Sequence, residues 1–209
     1  MPSRACAFWL AFACCLAASP LASHAQPQNA LGSEAEAMLR SASIESLDGL
    51  FQAVHAVSTS PADAAKVCAA LASPDRGSAQ AWLGLAQDLS ADHRDRLTRA
   101  LGEVALSAWR GQPAPFDESA ARTSLRQAGV RAALLHDGFS ASALGSQGDE
   151  ADVDIQAQRC RSLGWLLDAV ASRPQAERAA ITRLMLRDGL ASVLQTSAQT
   201  PPSTPRKDY

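Results

Sequence analysis

The chain reads as all-α: a single domain of about seven or eight short-to-medium helices, with one disulfide. Three observations lead there. Alanine occurs 44 times and leucine 25 times, against 11 for valine and isoleucine together. Ala and Leu favour helices, while the β-branched and aromatic residues that favour strands are scarce. Apolar residues recur three and four positions apart, in segments bounded by Ser, Asp, Pro and Gly. Two cysteines, Cys68 and Cys160, remain once an N-terminal export segment is set aside.

That segment comes first. Arg4 precedes an apolar run from Ala5 to Ala18, and Ser19-Pro20 breaks it. Ser23-His24-Ala25 places small residues at −3 and −1 before Gln26. This is the order of a secretory signal peptide, cut after Ala25. The run is too short to span roughly 30 Å of hydrocarbon as a helix. A lipoprotein signal is the weaker alternative, because Ala11-Phe12-Ala13 precedes the cysteines at 14 and 15 where Leu-small-small is usual. The expected organisation is a signal at 1–25, a polar leader at 26–32, a helical domain at 33–194 and a disordered tail at 195–209. The expected location is periplasmic or secreted.

Ser33 and Glu36 fit a capping box, so a short helix runs from there to about Ala42. Leu47, Leu50, Phe51, Val54 and Val57 form the stripe of the next helix. Ser60-Pro61 opens a third, with Ala64, Val67, Cys68 and Leu71 on its apolar face. Residues 73–77 are a turn cluster. Ser78 caps a helix whose face carries Trp82, Leu85, Ala86 and Leu89. Residues 91–110 are the clearest amphipathic segment, with Leu97, Leu101, Val104 and Ala108 on one side and i,i+4 Asp/Arg pairs on the other. Asp117 caps a helix to about Gln127, where Gly129 is placed to stop it. Val130 to His136 reads as a separate short helix. Residues 137–149 carry the least pattern. A long helix runs from Asp149 to Ala171, and the last from about 174 to 190.

Several functions are excluded or disfavoured. With 19 Lys and Arg against 21 Asp and Glu, the chain has no bulk positive charge for nucleic acid or for an anionic membrane surface. No transmembrane span is expected beyond the signal. No HExxH, EF-hand loop, GxSxG elbow, SxxK or CxxC is present. The acids at 149, 150, 152 and 154 read as a negative helix start. His55, His93 and His136 read as boundary, solvated and helix-end residues. No metal or cofactor site is assigned.

Cys68 and Cys160 read as a disulfide, the alternative being two buried thiols. Trp109, Phe116 and Phe139 are the candidate partner surface, because Trp is enriched at interface hot spots. The expected function is a non-catalytic protein-binding factor of the cell envelope: an inhibitor, an immunity-like factor or an adaptor. Two alternatives remain. An envelope hydrolase with carboxylate or histidine chemistry predicts a cleft holding perturbed ionisable groups. A self-associating structural component predicts a large apolar patch.

Overall fold

The computed structural model describes residues 27–73, 78–141 and 153–199. Among them are eight helices and no strand: α1 (Pro27–Ser41), α2 (Ile44–Thr59), α3 (Pro61–Ala72), α4 (Ala79–Asp88), α5 (Ala91–Arg110), α6 (Glu118–Leu135), α7 (Val153–Ala171) and α8 (Gln175–Gln199). The fold is all-α. Residues 1–26, 74–77, 142–152 and 200–209, which include the signal segment and most of the expected turn cluster, lie outside the described residues.

Helix α2 is the centre. Ser43 caps it, its side chain accepting from the Ser46 backbone N–H at 3.1 Å. Its Leu47, Leu50 and Ala53 pack with Ala100, Val104 and Ala108 of α5. On its other side Phe51 joins Ala128, Ala132, Val170 and Ile181 of α6, α7 and α8. Leu47 and Ile181 are fully buried, and burying such a side chain stabilises by roughly 1.5–3 kcal/mol. Helix α1 packs on α5 and α8, and α3 packs on α2, α4 and α7.

Alanine does much of this packing. Ala121, Ala128 and Ala132 of α6 are buried. A small side chain at a contact brings two helix axes toward the low end of their 8–10 Å range. Close approach is sharpest where α5 ends. A Cβ on Gly111 would stand 2.1 Å from the Ser41 carbonyl oxygen, so only glycine fits there.

Three boundaries differ from the sequence expectation. Helix α1 starts at Pro27, so residues 27–32 of the expected leader are helical and Ser33 lies inside the helix. Proline suits a first helical turn. Helix α8 reaches Gln199, five residues into the expected tail. Helix α6 runs unbroken through Gly129 to Leu135. Buried Ala128 and Ala132 bracket that glycine, and their packing outweighs its helix cost of about 1 kcal/mol. Helix α7 is described from Val153 to Ala171, within the expected span. The acids at 149, 150 and 152 lie outside the described residues.

Candidate functional site: an apolar groove walled by a disulfide-distance pair

The apolar faces of α3 and α4 are real, but they do not close into the core. The buried residue of α3 is Asp63. Val67, Leu71 and Leu85 are only half-buried. They face a groove of about 430 Å³, completed by Val57 of α2, Leu97 of α5 and Leu163 and Leu167 of α7. Ligand pockets for small molecules run from about 300 to 1,000 Å³ and are mostly apolar. At the rim, Val54, Trp82 and Met185 are 40, 39 and 44% exposed. Among the described residues, no charged side chain lines the groove.

Cys68 on α3 and Cys160 on α7 are part of this wall. They stand at disulfide distance, with Cα atoms 5.6 Å apart and a sequence separation of 92. The pairing expected from the sequence thus tethers the outer α3–α4 pair to α7.

A second tether holds the other end of α3. Asp63 is buried at its first turn. Its carboxylate accepts from Lys66 Nζ at 2.8 Å, from Ser90 Oγ at 2.6 Å and from the Ser90 backbone N–H at 3.2 Å. His93 Nδ1 lies 2.6 Å away. The Lys66 hydrogen bond, then those of Ser90 and His93, hold the carboxyl well below the usual aspartate range, against the effect of burial. Lys66 also donates to the Asp88 carbonyl at 2.7 Å. The cluster thus joins α3 to the end of α4 and the start of α5. His93, expected to be solvated, is mostly covered.

Ser90, His93 and Asp63 are the residue types of a hydrolytic triad, in a different arrangement. A triad places serine and carboxylate on opposite ring nitrogens. Here Ser90 Oγ and Asp63 Oδ2 both sit at His93 Nδ1, at 3.1 and 2.6 Å. Ser90 also donates its proton to the carboxylate. The cluster fastens helices and does not activate the hydroxyl.

The other described histidines are likewise engaged. His55 Nε2 lies 2.8 Å from Asp168 Oδ1, and its ring stacks on Phe51. His136 caps α6 and stacks on Trp165 with centroids 4.7 Å apart. Among the described residues, no group of three His, Cys, Asp or Glu could hold a metal ion.

The three candidate partner-surface aromatics occupy different settings, and none lines the groove. Trp109 is 85% exposed on the last turn of α5. Phe116 is half-buried under the Arg183 guanidinium, 5.5 Å from its ring centre. Arg183 is itself buried, donating to the carbonyls of Leu39 and Ala42 at 2.9 and 2.6 Å. Phe139 packs against the core around Phe51 and Ile181. Trp109 is therefore the exposed member of the three.

Sequence reasoning missed the groove and the Asp63 cluster. The stripes of α3 and α4 were visible, but a stripe does not reveal whether anything packs on it. Among known proteins, the chain matches no family model, no curated protein and no solved structure.

Proposed function

We propose that the protein is an exported, non-catalytic binding factor, and that the groove receives an apolar group of what it binds. The groove carries this reading: two helices spend their apolar faces on a concave surface instead of a core. The Cys68–Cys160 pair supports export, because disulfides persist in oxidising compartments. Among the described residues the lining holds no charged side chain, which fits binding better than chemistry, since chemistry needs ionisable groups at the reacting atoms.

The test is a fluorescence titration with anilinonaphthalene sulfonate, a dye that brightens in apolar sites. The unaltered protein should bind it saturably. Leu85→Arg puts a charge into the groove wall and should abolish the signal while far-UV circular dichroism stays unchanged. Equal binding by both proteins would overturn the assignment of the groove.

A second reading rests on a separate observation. Trp109 is largely exposed, and Leu101 and Leu106 of the same helix are more than half exposed. This end of α5 would dock a partner protein of the envelope. Trp109→Ala should then weaken capture of that partner at least tenfold, as hot-spot truncations do, and leave dye binding intact.

A further inference from the structure

We propose that the Cys68–Cys160 pair is a redox latch on the groove, an assignment that rests on the groove being a binding site at all. Bonded, the pair holds the two walls at binding distance. Reduced, it releases the outer wall, and binding weakens.

The groove has two walls, and the pair joins them. Val67, Leu71 and Leu85 of α3 and α4 form the outer wall, and Val57, Leu163 and Leu167 of α2 and α7 form the inner one. Cys68 stands in the first and Cys160 in the second. Apolar burial holds the outer wall only weakly. Among the described residues α3 buries Asp63 alone and α4 buries no side chain, although Leu89, which follows α4, is buried. Elements with few buried apolar side chains open at the least cost.

The attachment of this wall is one-ended. The chain enters α3 at Ser60 and leaves α4 through Leu89 and Ser90. The Asp63 cluster ties these points together through Ser90, His93 and the Asp88 carbonyl. Cys68 lies further along α3, about 7.5 Å from Asp63 at 1.5 Å per residue. Hinge and latch are therefore separate, and opening the latch leaves the hinge in place.

Both cysteines are half-buried and line a second, small cleft as well as the groove, so a reductant can reach them. A thiolate of a dithiol reductant attacks one sulfur, forms a mixed disulfide and expels the other cysteine as a thiolate. The reductant's second thiolate then closes the reductant's own disulfide and expels the first cysteine. Two electrons pass to the pair, and the two protons of the dithiol end on the cysteines. A ligand that touches both walls binds the bonded form more tightly, and by reciprocity makes the pair harder to reduce by the same factor.

The experiment titrates the full-length protein with anilinonaphthalene sulfonate in three states: oxidised, reduced by dithiothreitol, and reoxidised. Reduction should weaken saturable binding at least tenfold with the helical circular dichroism kept, and reoxidation should restore it. The Cys68→Ser/Cys160→Ser protein should bind like the reduced form and ignore the dithiol. Equal or tighter binding after reduction overturns the latch. So does loss of the helical signal, which makes the pair a staple for the whole fold. A second measurement uses unaltered protein alone. Thiol alkylation and mass spectrometry across a dithiol redox series should place the midpoint about 30 mV lower in saturating dye for each tenfold difference in affinity. An unmoved midpoint, or thiols that never pair, overturns the proposal. If Leu85→Arg abolishes dye binding and redox state does not matter, the groove remains a binding site and only the latch is wrong. If the oxidised protein binds no dye, both readings fall.

Discussion

Asp63 carries more of the architecture than its place in a first helical turn suggests. One carboxylate serves a lysine, a serine and a histidine from the junction of three helices. Its pKa is depressed in the folded state, so its contribution is full above the ordinary carboxylate value and fades as pH falls through about 4 and below. Glu118, joined to Arg187 and Arg122, is held down to about 2 and acts in the same direction. Thermal melts should therefore show a constant Tm at mildly acidic pH and a decline below pH 4. Asp63→Asn should lower the plateau and flatten the decline. Glu118→Gln should do less, since that side chain is well exposed and solvent screens its ion pairs. An Asp63→Asn protein with the parental acid limb would contradict this assignment. Two glycines give opposite expectations. Gly111→Ala forces a methyl against the Ser41 carbonyl and should cost roughly 1–3 kcal/mol in denaturant melts. Gly129→Ala meets nothing within 4 Å inside a continuous helix and should stabilise by about 0.4–1 kcal/mol.

At the scale of the helix, much was legible. Leu47, Leu50, Phe51 and Val57 of the α2 stripe, the Ser78 and Asp117 caps and the span of α5 stand in the structure as the residue pattern predicts, while Val54 and Leu101, expected on the inward faces, are exposed. What was not legible has a common cause. Gly129 looks like a stop signal locally, and is overruled by alanines that pack only once the fold exists. Ser60 to Asp63 looks like an ordinary helix start, and its carboxylate is claimed by residues 27 to 30 positions away. The apolar faces of α3 and α4 look like core because periodicity reports which side is apolar, not what lies opposite. These two helices are the least embedded part of the domain: α4 packs mainly on α3. Their link to α7 through Cys68 and Cys160 should matter accordingly. Reduction by a dithiol should lower stability by up to about 4–5 kcal/mol, the chain-entropy value for so long a loop. Hydrogen exchange should show the loss first in α3 and α4. Protection unchanged there after reduction would contradict the tether.

For the whole molecule, the central claim is that the wall built by α2, α3, α4 and α7 is a binding surface, and that the exposed end of α5 is a different one. Composition pointed to a helical domain, and the structure shows where its packing is incomplete: between the outer helix pair and the core. Trp109, one of the three aromatics singled out from sequence, is largely exposed. Phe116 and Phe139 have structural partners that no local pattern could announce. The most direct measurement is methyl NMR of the isotope-labelled protein titrated with anilinonaphthalene sulfonate. The account predicts saturable shifts at the methyls of Val54, Val57, Val67, Leu71 and Leu85, with Leu101 and Leu106 unmoved. Shifts confined to Leu101 and Leu106, or none at the groove methyls, would contradict it.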